Sequence, residues 1–214
     1  CVSSSTSCSS WVSVTSSTSF SLSVEFTLTT GNGSKTVYAW FKDGAGNVSS
    51  RYSDSITLAF IGEISAGGDH TCGLYPTGTI QCWGKGSSYQ LGNGSASSAS
   101  NAVSVSGISS AVELATGGNH SCALLSDGTV KCWGSGNYGQ MGDYSNSNNS
   151  TPNLIYDTGA QAIQINSGTN HICVVNQIGT VLCWGYNAYG QIGNNNTTNQ
   201  SYPQEVSGLI GVSQ

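Results

Sequence analysis

Three histidines and six cysteines are the residues of this chain best suited to chemistry, and they recur in register. His70, Cys72 and Cys82 are followed by His120, Cys122 and Cys132, then by His171, Cys173 and Cys183, at periods of 50 and 51 residues. Imidazole and thiolate together make a zinc ligand set, and a ring of equivalent histidines would bind a transition metal or titrate near pH ~6.5. The spacing speaks against zinc, because Cys-x9-Cys is much wider than the Cys-x2–4-Cys of structural sites. An even count of eight cysteines, six at one internal spacing, instead predicts disulfides and an oxidising compartment. Each histidine travels with the Gly, Cys and Trp of its repeat, so its expected work is to satisfy buried backbone groups at the bend before a hairpin.

Other candidate chemistry is thinner. Trp83, Trp133 and Trp184 directly follow a bridging cysteine. Strand alternation sets each indole on the face opposite that cysteine, so packing between repeats is expected rather than stacking on sugars. No nucleophile elbow, phosphate-binding loop, His-Glu-x-x-His or clustered carboxylate pair occurs. No catalytic residue, metal site or cofactor is assigned, and the chain is not expected to be an enzyme. Asp69 and Asp127, partly echoed by Asn119, Asn170 and Gln177, read as turn residues.

Between the repeated phrases lie polar stretches at 93–101, 143–153 and 194–201. Stacked repeats present equivalent loops on one face, so these stretches and the nearby Tyr138, Tyr144, Tyr186, Tyr189 and Tyr202 are the candidate ligand-binding residues. Asn93, Asn149 and Asn196 match Asn-x-Ser/Thr, as chance alone produces in an Asn- and Ser-rich chain.

These residues need elements to position them. A fixed period of this length means one supersecondary unit that must stack on its neighbours to bury its apolar face. Within each unit the paired cysteines are symmetric about Thr77, Asp127 or Ile178, with Gly78, Gly128 or Gly179 at the next position for a turn requiring positive φ. Folding the strands about those centres sets Cys72 opposite Cys82, Cys122 opposite Cys132 and Cys173 opposite Cys183, with Leu74 facing Ile80 and Leu124 facing Val130.

Composition narrows the class. Only 7% of the 214 residues are charged, against a usual ~25%. The net charge is −5 and the five Lys and Arg are scattered, which excludes a nucleic-acid footprint and a polybasic membrane patch. No apolar run approaches a spanning helix, so no transmembrane segment is expected.

Gly67-x-x-His70-Thr71-Cys72, its copies from Gly117 and Gly168, the Cys-Trp-Gly after each turn, and Gln90-Leu91-Gly92, Gln140-Met141-Gly142 and Gln191-Ile192-Gly193 together carry a resemblance. They resemble the repeats of the regulator of chromosome condensation family, and more narrowly its bacterial extracellular versions with a disulfide in each repeat. The resemblance implies an all-β chain whose residues 60–214 form a partial β-propeller of three repeats and the start of a fourth. The pattern departs at Tyr89, where the other copies have Gly139 and Gly190, and at Thr169, where they have Gly68 and Gly118. Three copies do not close the family's usual ring of seven, so a piece of a longer protein is expected, or a homo-oligomer completing the arc.

Residues 1–59 lack the repeat. Apolar and β-branched runs at 20–28 and 36–41 read as strands, with turns at 31–34 and 43–47. Residues 35–49 resemble the final strands of a bacterial immunoglobulin-like domain, incomplete at its N-terminus, with a disulfide between Cys1 and Cys8 beside Trp11. The rival for Cys1 is a lipidated N-terminus. The expectation is therefore a secreted or cell-surface adhesion module that recognises a protein or glycan on another cell through propeller loops. The alternative is a structural spacer or subunit of a fibre or oligomeric surface assembly. Nucleotide exchange on a small GTPase, the activity of the family's namesake, is set aside because disulfides and GTPases rarely share a compartment.

Overall fold

The computed structural model describes residues 2–3, 33–58, 61–156 and 158–209, and the chain divides into two compact units, Cys1–Phe60 and Ile61–Gln214. In the first unit β2 (Gly33–Ala39) lies between β1 (Val2–Ser3) and β3 (Tyr52–Leu58) in an antiparallel sheet. After β2 the chain turns back at Asp43. Its Oδ1 accepts from the N–H of Ala45 and Asn47 at 2.9 and 2.8 Å, and its Oδ2 accepts from Asn47 Nδ2 at 2.8 Å. Gly33 and Ser34, expected in a turn, instead open β2. The strand expected over 20–28, Trp11 and the Cys1–Cys8 bridge lie outside the described residues.

The second unit is three four-stranded antiparallel blades, each following chain order. Blade 1 holds β4 (Glu63–Ala66), β5 (His70–Leu74), β6 (Ile80–Gly84) and β7 (Ala99–Ser104). Blade 2 holds β8 (Ala111–Thr116), β9 (His120–Leu125), β10 (Val130–Gly134) and β11 (Asn149–Leu154). Blade 3 holds β12 (Ala162–Ser167), β13 (His171–Asn176), β14 (Val181–Gly185) and β15 (Gln200–Glu205). Among the described residues no helix is long and apolar enough to cross a membrane.

The two middle strands of each blade form the hairpin that the cysteine spacing predicts. Cys72 is paired with Cys82, Cys122 with Cys132 and Cys173 with Cys183, each joined by a disulfide, with S–S distances of 2.08, 2.07 and 2.09 Å. Gly78, Gly128 and Gly179 take φ of 78°, 79° and 79° at the turns. The glycine after each Trp also takes positive φ, 105°, 102° and 107°, and has a second cause. A side chain on Gly84, Gly134 or Gly185 would press within 2.5, 2.6 and 2.5 Å of the carbonyl oxygens of Asp69, Asn119 and Asn170. Here too the register with the outer strand slips, and the slip releases the chain into the loop that follows.

No blade has a core of its own. One apolar cluster joins the trailing face of blade 1 (Cys72, Ile80, Leu91) to the leading face of blade 2 (Leu114, Ala123, Trp133). The other joins Cys122, Val130 and Met141 to Ile165, Ile172 and Trp184 across the next junction. On the leading face of blade 1 the same position is bare: Ile64 is 63% exposed, while its equivalents Leu114 and Ile165 are 4% and 3%. The inner strands are tied as well. Leu114 N–H donates to Glu63 Oε1 at 3.4 Å, and Ile165 N–H to Glu113 Oε2 at 2.9 Å. Gly68 N–H donates to the Gly117 carbonyl, and Gly118 N–H to that of Thr169 at 2.8 Å. A side chain on Gly68 would come within 2.8 Å of the Gly118 carbonyl oxygen and one on Gly118 within 3.0 Å of that of Thr169, so it is the following blade that asks for glycine at these two positions.

Candidate functional site

Two of the histidines and two of the tryptophans prove to be joints between blades. His70 Nε2 lies 2.8 Å from Ser121 Oγ and His120 Nε2 2.9 Å from Ser167 Oγ, so each imidazole meets a hydroxyl of the following blade, not the backbone groups expected from sequence. Burial pushes His70 down to about 4, against a smaller opposing pull from Asp69. Burial, with His70 and His171 adding to it, pushes His120 down to about 3, and burial lowers His171. Rings held neutral at pH 7 and stitched to hydroxyls are framework. Among the described residues no three His, Cys, Asp or Glu side chains gather as a metal would require. Trp133 and Trp184 are wholly buried, and their indole N–H groups donate to the carbonyls of Gln90 (3.0 Å) and Gln140 (3.1 Å) in the preceding blade.

The five tyrosines behave otherwise. Tyr138, Tyr144, Tyr186, Tyr189 and Tyr202 all fall along the junction between blades 2 and 3. Tyr138 meets Tyr186 edge-on at 4.9 Å between ring centroids, and Tyr186 meets Tyr189 edge-on at 6.3 Å. Tyr144 stacks on Tyr202 at 5.0 Å with an interplanar angle of 13°. The two groups share a seat: Gly139 is packed onto Gln200 and Ser201, and Tyr144 N–H donates to the Ser201 carbonyl at 2.8 Å. Tyr138, Tyr144, Tyr189 and Tyr202 are exposed, Tyr189 to 87%.

Tyr138 and Tyr189 are one repeat position, filled by Ser88 in the first copy, but nothing in the repeat frame asks for the rings of Tyr144, Tyr186 and Tyr202. At the junction of blades 1 and 2 the positions matching Tyr138, Tyr186, Tyr144 and Tyr202 hold Ser88, Ser135, Gly94 and Thr151. Tyr144 even occupies a left-handed slot, φ 65°, where the other blades place Gly94 (83°) and Asn195 (61°). For a bulky side chain that conformation costs about 1–3 kcal/mol and persists only where the surroundings hold it. Tyr89 likewise sits at 64° where Gly139 and Gly190 take 82° and 76°, so the departure noted in the first repeat leaves the left-handed backbone in place.

Sequence reasoning missed one member of the site. Asp143 stands where Asn93 and Asn194 stand in the flanking blades, so the same junction gains a carboxylate as well as rings. Its Oδ2 accepts from Asn149 Nδ2 at 2.9 Å and Asn153 Nδ2 at 3.1 Å, and its Oδ1 from Ser145 N–H at 3.1 Å. Burial pushes its carboxyl up, but these hydrogen bonds more than offset that and hold it below the usual range. The signal was the one acid in a column of asparagines. The polar stretches also differ from expectation, since 149–153, 200–201 and 99–101 belong to outer strands rather than to loops.

The fold is similar to that of human WBSCR16, with a TM-score of 0.63 at 23% identity over 71% of this chain and 40% of that one. Prp20p from Saccharomyces cerevisiae, described with its binding to Gsp1p and histones, matches with a TM-score of 0.62 at 16% identity over 80% of this chain and 48% of its own. Yeast RCC1 (Prp20) bound to Kap60 matches at 0.62 and 18% over 83% and 46%. The chain thus spans less than half the length of each.

These structures correct the expectations drawn from the cysteines. The same fold serves proteins described with Gsp1p, histones and Kap60 as binding partners. The secreted or cell-surface localisation, the adhesion role with its fibre alternative, and the protein or glycan partner on another cell do not stand. Disulfides staple these hairpins, but a local staple is a property of the hairpin and was wrongly read as an address. Two models of the regulator of chromosome condensation repeat match, one over residues 63–90, 111–140 and 162–191, the other over 77–124, 127–175 and 179–214. More than half of the chain is covered, and it belongs to the RCC1 repeat family, as a non-catalytic scaffold of stacked propeller blades rather than an enzyme.

Proposed function

We propose that this chain is a protein-binding scaffold whose contact surface is the tyrosine-lined junction of blades 2 and 3. The observation that carries the reading is the gathering of five rings at one junction, three of them, Tyr144, Tyr186 and Tyr202, at positions where the preceding repeat holds Gly94, Ser135 and Thr151. Tyrosine supplies large contact area at little cost in conformational entropy and is enriched where proteins meet. A propeller rim is rigid, so such rings are held ready rather than ordered on binding. The two yeast structures of this fold, described with protein partners, support a protein rather than a small molecule.

Residues 1–59 we read as the C-terminal part of an immunoglobulin-like β domain, residues 60–214 as three repeats and the start of a fourth, and the chain as bacterial. The antiparallel sheet of β1, β2 and β3 supports the first of these.

The test is photo-crosslinking from a benzoyl-phenylalanine at position 138 or 189, with position 127, in the β9–β10 turn, as control. The expected outcome is one protein trapped from both tyrosine positions and not from the control. Equal trapping from all three, or none from 138 and 189, overturns the reading.

A further inference from the structure

We infer that the tyrosine junction takes a basic peptide segment, its Arg or Lys side chains laid over the rings with Asp143 beside them. This rests on the protein-binding reading above and names the chemistry of the partner.

Charge complementarity commits the surface to a cation. Of the chain's ten acidic and five basic residues, residues 61–214 hold seven carboxylates and two lysines, so the whole net charge of −5 lies in the repeat unit. Both lysines are engaged: Lys85 with Asp69 at 3.2 Å, and Lys131 with the Gly107 carbonyl at 3.3 Å. The junction adds rings and a carboxylate together, where the flanking blades have neither combination. A tyrosine face attracts a guanidinium or ammonium through its quadrupole, best within ~6 Å of the centroid. The first unit of this chain makes that contact with its own residues, Arg51 lying 4.5 Å over the Tyr38 ring.

Two separated ring groups fit an extended segment. Tyr138–Tyr186–Tyr189 and Tyr144–Tyr202 flank the seat at Gln200 and Ser201, so successive basic side chains can each meet a different group. Asp143, adjacent to Tyr144 and held by Asn149 and Asn153, fixes one negative charge at the Tyr144 end.

The experiment is fluorescence anisotropy of the full chain with three labelled peptides of equal length: arginine-rich, neutral proline-rich and glutamate-rich. Variants Y138S and Y189S install the serine found at position 88, and D143N installs the asparagine found at 93 and 194, so each is a residue the repeat already accepts. The arginine-rich peptide should bind and weaken with added salt. Y138S and Y189S should each weaken it about two- to fivefold, the range of one exposed cation–π contact, and D143N by up to about fivefold, the range of one exposed ion pair. Equal binding of the proline-rich peptide, or arginine-rich binding unchanged in all three variants, overturns the inference. If the crosslinking partner is still captured through 138 and 189 while no basic peptide binds, the charge argument alone has failed. If neither occurs, the protein-binding reading has failed with it.

Discussion

At the scale of residues, the same side-chain type does different work according to what lies behind it. Trp133 loses nothing to solvent and spends its indole N–H on the Gln90 carbonyl, whereas Trp83, the first of the series, is only partly buried. Replacing Trp133 with Phe leaves that carbonyl with Ser121 Oγ as its remaining donor and a void beside it, and should cost about 2–4 kcal/mol in urea unfolding. Trp83→Phe should cost under about 1 kcal/mol. Equal losses would show that the indoles act within their own blades. Spacing made the tryptophans legible, because alternation from a paired cysteine fixes which face they take. The histidine partners were not legible. Ser121 and Ser167 come from the following repeat, and only the angle between blades decides which hydroxyl an imidazole reaches. Asp143 was open to view but was read as one more polar residue, since its value lies in contrast with Asn93 and Asn194.

At the scale of elements, the hairpin is the part the sequence describes best. Its turn, register and disulfide all follow from distances of ten residues or fewer, over which strand geometry leaves little choice. The disulfide closes a small loop, so the double variant C122A/C132A should lose about 2–3 kcal/mol by the chain-entropy model. It should still fold, because the faces of β9 and β10 remain packed on both neighbours. Urea unfolding checks this. Complete loss of the cooperative transition would mean that the hairpin needs its staple in order to form at all. Outer strands were harder to read. β7, β11 and β15 are polar, their burial is partial, and a loop of similar composition leads into each.

At the scale of the molecule, stability depends on protons in a direction the buried imidazoles set. An unfolded histidine takes up its proton near pH ~6.5. In the fold His70 does so at about 4 and His120 at about 3. Below ~6.5 the unfolded chain therefore binds more protons, so the stability these rings contribute is present above that pH and lost as pH falls toward 4, by up to about 1.4 kcal/mol per unit for each ring. Glu63 and Glu113, raised mainly by burial, act in the opposite sense, nearer the carboxylate range. The urea midpoint should fall between pH 7 and 5, and a midpoint that stays level or rises would mean that these rings are charged in the fold. The whole-molecule role was misread from sequence because cysteines report on bonding, and location was inferred from bonding alone. The core placed between blades has a further consequence, one of inheritance. Each period brings one leading and one trailing face, so a tandem copy inserted in frame at a blade boundary meets neighbours already shaped for it. Half a period would set a hairpin against the wrong surface. The segment a genome can duplicate without repair is therefore the whole period, and a junction that has acquired its own rings can be multiplied along with it.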